Sequence, residues 1–282
     1  MKGFINLIKP SGMSSARAVT AVKKKFNCPC GHMGTLDPMA SGVLPVGIGK
    51  ASRLFQYTLD KTKKYIARFK FGLNTDTLDT TGEVIKTTSV IPTKEQIEES
   101  LKCFVGVIDQ VPPKYSAKCV GGKRGYQLAR RGEEFELPPK KVEVLSFKLL
   151  GQTASDEFEF EIYCKGGTYI RSLARDVGEK CNSLAVMSAL VRAESGVFTI
   201  ENGVTVEEFE NSNEPEKYLI EADVAVSFPK LILTAEQALK ILNGVFEDYG
   251  FKDGIYRVYN ESEFWGVGTA EKGILKINSY VR

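Results

Sequence analysis

The order in which strand-like and helix-like segments follow one another constrains this chain most, because they do not alternate. Gly3–Ile8 reads as a short strand. The Pro10-Ser11-Gly12 turn follows, and Ser14 or Ser15 offers an N-cap for a helix running to about Phe26. Cys28–Gly49 is rich in Gly and Pro without a clean period, so it reads as loop with short elements. Lys64–Phe71 alternates, with Tyr65, Ala67, Phe69 and Phe71 on one face. Thr93-Lys94-Glu95-Gln96 has the form of a capping box and opens a helix towards Phe104. Lys141–Leu150 and Glu157–Cys164 are further strands, and Tyr169–Cys181 and Leu184–Arg192 read as helices. After the acidic stretch Glu201–Asp223 the pattern restarts from Leu231. Thr234-Ala235-Glu236-Gln237 resembles another capping box, Asn243-Gly244 ends that helix, and short strands follow at Gly254–Tyr259, Phe264–Thr269 and Ile274–Ile277. This irregular order predicts an α+β fold rather than a doubly wound parallel sheet.

With 43% hydrophobic and 26% charged residues in 282, the chain can bury a sizeable core and is not of a disordered class. No window approaches the roughly 18 apolar residues of a membrane helix, and Met1–Pro10 is too short and broken by Asn6 to be a signal peptide. The six Cys are too scattered for a disulfide framework, so reduced thiols in a cytoplasmic protein are expected. The net charge of +3 hides an asymmetry. Residues 1–200 carry 30 Lys/Arg against 20 Asp/Glu, and residues 201–282 carry 8 against 15. That distribution fits a polyanion meeting the first part, or equally an ordinary basic surface beside an acidic one.

Two apparent motifs fail on spacing. Cys28-Pro29-Cys30-Gly31-His32 places its Cys one residue apart, whereas structural zinc ligands pair at two to four, and no second pair exists, so no metal is expected. Val46-Gly47-Ile48-Gly49-Lys50-Ala51 has Leu44 where a phosphate loop needs its first Gly and Ala51 where it needs a hydroxyl.

Four segments carry chemistry. Lys9-Pro10-Ser11-Gly12-Met13-Ser14-Ser15 is the first. Gly31-His32-Met33-Gly34-Thr35-Leu36-Asp37-Pro38-Met39-Ala40-Ser41-Gly42-Val43-Leu44-Pro45 is the second. Val111-Pro112-Pro113-Lys114-Tyr115-Ser116-Ala117 with Gly122-Lys123-Arg124 is the third, and Lys165-Gly166-Gly167-Thr168-Tyr169-Ile170-Arg171-Ser172-Leu173 the fourth. Taken alone, Asp37 between Leu36 and Pro38 is a carboxylate on a stiff turn, which serves a nucleophile or a turn residue bonding local amides. In order and approximate spacing, the four segments resemble the TruB family of tRNA pseudouridine synthases over residues 1–200. The resemblance implies a pseudouridine synthase fold, with a mixed, mainly antiparallel central sheet flanked by helices and loops. It places the catalytic domain at 1–228 and a small β-barrel-like module at 229–282, where Phe264-Trp265-Gly266-Val267-Gly268-Thr269 is similar to a shortened PUA RNA-binding domain.

The same resemblance implies an isomerase that turns uridine 55 of the tRNA T-loop into pseudouridine. It implies no cofactor, no guide RNA and no protein partner, in a monomer. Asp37 is then the nucleophile, acting at C6 of the base or at C1′ of the ribose. Arg171 holds that carboxylate charged. Tyr65 stacks on the base or helps remove the C5 proton. Tyr169 and Leu190 wall the pocket, Asp79 supports it, Lys9 counts among the substrate-binding residues, and His32 fills the gap left by the extruded base. Lys23, Lys24, Lys64, Lys123, Arg124, Arg130 and Arg131, with Lys25, Lys61 and Lys63, are the candidate phosphate contacts. Ile8, where relatives often carry a polar residue, and Val191-Arg192-Ala193, which has one arginine where many have two, depart from the pattern.

Overall fold

A computed structural model describes residues 2–58, 62–116, 119–120, 123–125, 128, 131 and 135–282. They form two compact units, one of residues 1–38, 42–59 and 195–282, the other of 39–41 and 60–194. The elements are α+β in both, in line with the irregular order of the sequence.

The first unit is built on an antiparallel pair. Gly3–Lys9 lies against Ser41–Ile48 in a register running from Gly3↔Ile48 to Lys9↔Gly42. Val204–Thr205 pairs parallel to the first of these strands and Ile220–Glu221 antiparallel to it. Both strands are nearly continuously buried, as strands covered on both faces are. The Gly- and Pro-rich stretch is thus less irregular than its composition predicts. It contains the strands Cys30–His32 and Ser41–Ile48, the second apolar at most positions but interrupted by Pro45 and Gly47, which dilute a strand signature. The helix Ser15–Phe26 is capped by Ser14, whose oxygen accepts from the Arg17 amide at 3.2 Å, and ends on Asn27 in the left-handed region. Ala18, Ala21 and Val22 form its buried stripe, while Lys23, Lys24 and Lys25 lie in its last turn, where cations complement the helix dipole.

The tail supplies a five-stranded sheet in the order 230–233, 254–260, 263–271, 273–280, 248–251. The helix Ala235–Leu242 opens with the capping box expected at Thr234. Trp265, Val258, Leu275 and Ile241 make the core of this module. Val267 and Val281 instead join Phe4, Val43, Leu54 and Phe198 in the core of the N-terminal strands.

In the second unit, Lys63–Phe71 runs antiparallel to Glu157–Cys164, from Lys63↔Cys164 to Lys70↔Glu157, and Lys140–Ala154 and Gly106–Gln110 continue outward. The alternation read in the sequence holds. Tyr65, Ala67, Phe69 and Phe71 are buried, and Phe69 packs on Phe160 with ring centroids 4.6 Å apart. The opposite face carries the cross-strand ion pairs Lys64–Glu161 and Arg68–Glu159, both at 2.9 Å.

One expected helix is a strand. Ala185–Ser195 joins the sheet beside Lys63–Phe71, where 184–192 read as helical. A short apolar run has no period that separates the two states, and the neighbouring strand decides. The preceding helix, Ile170–Lys180, ends at Cys181, and Asn182 takes φ +52° to reverse the chain. Gly178 permits the reversal, since a Cβ there would lie 2.5 Å from the Ala185 backbone nitrogen. Gly178→Ala should therefore destabilise the fold by about 1–3 kcal/mol, although alanine is the better helix former by about 1 kcal/mol. A urea midpoint equal to or above wild type would contradict this packing argument.

Candidate active site

Asp37 stands between two peptide groups that the N-terminal segment holds. On one side is Leu36, buried, whose carbonyl accepts from the Ser15 hydroxyl at 2.8 Å and whose amide donates to the same oxygen at 2.9 Å. On the other is Pro38, whose carbonyl accepts from the Gly12 amide at 2.8 Å and from Lys9 Nζ at 3.3 Å. Lys9 is wholly buried, and its ammonium also donates to the carbonyls of Pro10 at 2.9 Å and Met13 at 2.6 Å. Gly12, at φ +84°, makes the tight turn that brings these groups round. Lys9–Ser15 and Leu36–Pro38 thus form one hydrogen-bonded device, and the Asp37 side chain at its tip is half-buried. The tandem Ser14-Ser15 divides its work: one caps the helix, the other ties the loop.

In the second unit, Arg171 is buried in the first turn of its helix. It donates to the carbonyls of Thr77 and Tyr115, each at 2.9 Å, and its guanidinium stands 3.9 Å from the Asp79 carboxylate. Asp79, itself buried, accepts from Thr77 Oγ1 and the Thr81 amide at 2.9 Å and from Thr81 Oγ1 at 2.5 Å. Leu78, just before it, is held at φ +62°, a costly conformation for leucine. Backbone bonds to and from Met187 strap this loop to the 185–195 strand. Gln110, 1% exposed, orients Tyr169 by donating to its carbonyl at 3.1 Å and accepting from its amide at 2.8 Å.

Tyr65 and Leu190 are buried on adjacent strands, Tyr65 on Lys63–Phe71 and Leu190 on Ala185–Ser195. Arg192, also wholly buried, hydrogen-bonds the Tyr65 hydroxyl; burial pushes its pKa down, and Tyr65 opposes that shift. His32 is half-buried at the end of the Cys30–His32 strand, opposite Val46.

The basic residues divide. Lys23 and Lys24 are exposed, whereas Lys64 is engaged by Glu161. Lys123 and Arg124 form a two-residue strand paired with Cys119–Val120, and Arg131 is exposed. Lys61 and Arg130 lie outside the described residues. Cys28 and Cys30 are free thiols with sulfurs 4.0 Å apart; burial is the main cause holding the Cys30 pKa up at about 12. Among the described residues no group of three or more His, Cys, Asp or Glu is placed to hold a metal, and no helix is long and apolar enough to cross a membrane.

The sequence points to Asp37, Arg171, Asp79 and Tyr65 as candidates, and it does not single out the Ser15–Leu36 bonds, Gln110 or the burial of Arg192. Ser15→Ala leaves the buried Leu36 amide without its acceptor, which should cost about 1–3 kcal/mol of stability. Ser15→Thr, which keeps the hydroxyl, should cost less. Thermal melts of both variants measure the difference, and equal melting temperatures would remove the hydroxyl from its assigned role.

Residues 21–170 match the TruB family pseudouridylate synthase, N-terminal domain. The chain is 39% identical to tRNA pseudouridine synthase B of Caldanaerobacter subterraneus, covering 95% of each. It is 37% identical to the protein of that name in Aquifex aeolicus, covering 98% of each, and 47% identical to that of Anaplasma marginale over 74% of this chain and 68% of the relative. Among solved structures, an H/ACA ribonucleoprotein bound to a substrate RNA containing 2′-deoxyuridine shares the fold, with a TM-score of 0.74 at 24% identity over 99% of this chain and 85% of that one. The four motifs, the α+β architecture and these identities over most of the length make this chain a member of the TruB family of pseudouridine synthases.

Proposed function

We propose that this chain isomerises uridine 55 in the T-loop of tRNA to pseudouridine, with Asp37 as nucleophile. The observation that carries the assignment of Asp37 is the bracing of both peptide groups around it, which fixes the backbone while leaving the side chain at the tip half-exposed. The tRNA substrate rests on relatives of that name at 36–47% identity.

In this reaction the N1–C1′ bond breaks, the uracil turns, and a C5–C1′ bond forms. The C5 proton leaves and N1 gains one, so electrons and atoms balance without a redox partner. The carboxylate adds to C6 or meets the ribose at C1′. The uridine must first leave its stack, at a cost of a few kcal/mol. His32 is assigned to the gap so created, and Tyr65, Tyr169 and Leu190 to the walls around the base. Arg171, organised by Asp79, Thr77 and Tyr115, supplies the fixed positive charge that a desolvated nucleophilic carboxylate needs. Lys9 supports the loop from below rather than touching RNA. The module at 229–282 is assigned a supporting RNA contact. We assign the work to a single chain in the cytoplasm, without guide RNA or protein partner.

Purified protein alone, given unmodified tRNA tritiated at uracil C5, should release tritium, and Asp37→Ala should release none while still binding tRNA. No release by the wild-type chain alone would overturn the reading, as would full release by Asp37→Ala. Lys23 and Lys24 are exposed candidate phosphate contacts on one helix end. Lys23→Glu with Lys24→Glu should weaken tRNA binding and lower the slope of log affinity against log salt by about 2. An unchanged slope takes both out of the interface.

A further inference from the structure

Arg192 is a permanent charge held inside the protein. It is 1% exposed and belongs among the largest wholly buried side chains. It sits on Ala185–Ser195, the strand beside Lys63–Phe71, and its guanidinium hydrogen-bonds the hydroxyl of Tyr65, itself 7% exposed. Leu190 lies two residues away along the same strand and therefore on the same face.

Burying a guanidinium costs several kcal/mol, and an apolar side chain of similar volume often serves packing as well or better. A charge kept in such a position beside a residue assigned to the substrate site points to a task other than packing. The stereochemistry says which. A guanidinium has N–H donors and no acceptor, so the Tyr65 oxygen must be the acceptor of the bond. The phenol's own proton then points away from Arg192. A neighbouring cation also favours negative charge on that oxygen.

We propose that Arg192 is a positioning residue for the isomerisation, acting through Tyr65. It pins the phenol oxygen, sets the direction of its O–H, and lets that oxygen carry charge while the C5 proton is transferred. In the step assigned to this pair, Tyr65 gives its proton to N1 of the turned base. The C5–H bond then breaks and its electron pair closes the C5=C6 double bond, while C6 releases a pair in exchange. That pair is the C6=N1 π pair, which goes to the protonated N1, or the C6–O pair, which returns to the Asp37 carboxylate where that carboxylate had added at C6. The proton passes to the Tyr65 oxygen. Tyr65 ends as it began, and the product is an isomer of the substrate. The inference rests on the placing of Tyr65 at the uracil proposed above.

The test is a double-mutant cycle read by single-turnover tritium release, tRNA affinity and thermal melting. Arg192→Met should lower the single-turnover rate by roughly 10²-fold, with tRNA affinity changed less than about threefold and melting not lowered in proportion. Arg192→Lys, which keeps a cationic donor, should recover part of the rate. In the Tyr65→Phe background, Arg192→Met should cost less than about twofold more, because its partner is already gone. Equal losses in both backgrounds would overturn the proposal, as would a wild-type rate in folded Arg192→Met, or a loss that follows the folded fraction. If Arg192→Met does not fold, Arg192→Lys carries the same comparison in the two backgrounds. Wild-type turnover by Tyr65→Phe would instead sink the hydroxyl role of Tyr65, while tritium release by Asp37→Ala would sink the underlying reading of function.

Discussion

One serine hydroxyl and one ammonium hold the backbone on which the chemistry is assigned. Ser15 takes both hydrogen-bonding groups of Leu36, and Lys9, with the Gly12 amide, takes the carbonyl of Pro38. Residues 33–40, between the strands Cys30–His32 and Ser41–Ile48, have no regular structure of their own to stiffen them. Their conformation is imposed from outside, by a strand end and a helix start that meet them. That explains why the Lys9–Ser15 segment belongs with the Asp37 segment although 21 residues separate Ser15 from Leu36. The first segment is the scaffold of the second.

The second unit applies the same logic to its charges. Arg171 and Asp79 are both buried and stand 3.9 Å apart, a distance at which the pair gives only part of what desolvation takes away. The remainder comes from fixed dipoles: two carbonyls on the arginine, and two hydroxyls and an amide on the aspartate. Such dipoles need no rearrangement when charge moves, which is the property a preorganised site requires. The strained backbone at Leu78 fits this picture, because the straps to Met187 and the bonds to Asp79 over-determine it.

Local rules made much of the fold legible. The period of two in 63–71 and the capping boxes at Thr93 and Thr234 correspond to elements that form where expected. They did so because each signal depends on neighbours within a few residues. Where the deciding partner is distant, reading failed. Ser41–Ile48 is a strand because Gly3–Lys9 covers it, and 185–195 is a strand because 63–71 does. The candidate site divides the same way. Asp37 and Arg171 lie within motifs that a local reading singles out as candidates, whereas Gln110 and Arg192 have partners 59 and 127 positions away in sequence. No local pattern carries that information.

The placement of Val267 and Val281 has a consequence for how such chains diversify. Both side chains sit among Phe4, Val43 and Phe198, not with Trp265 and the other residues of their own module. The C-terminal sheet is therefore not a cassette to be exchanged freely between relatives. A graft that brought smaller residues to those two positions would leave a void behind the strand that ends at Lys9, and bulkier ones would push against it. Sequence drift at the far end of the chain is in this way coupled to the ammonium that steadies the loop of Asp37, and substitutions at the two ends should be inherited in compensating sets.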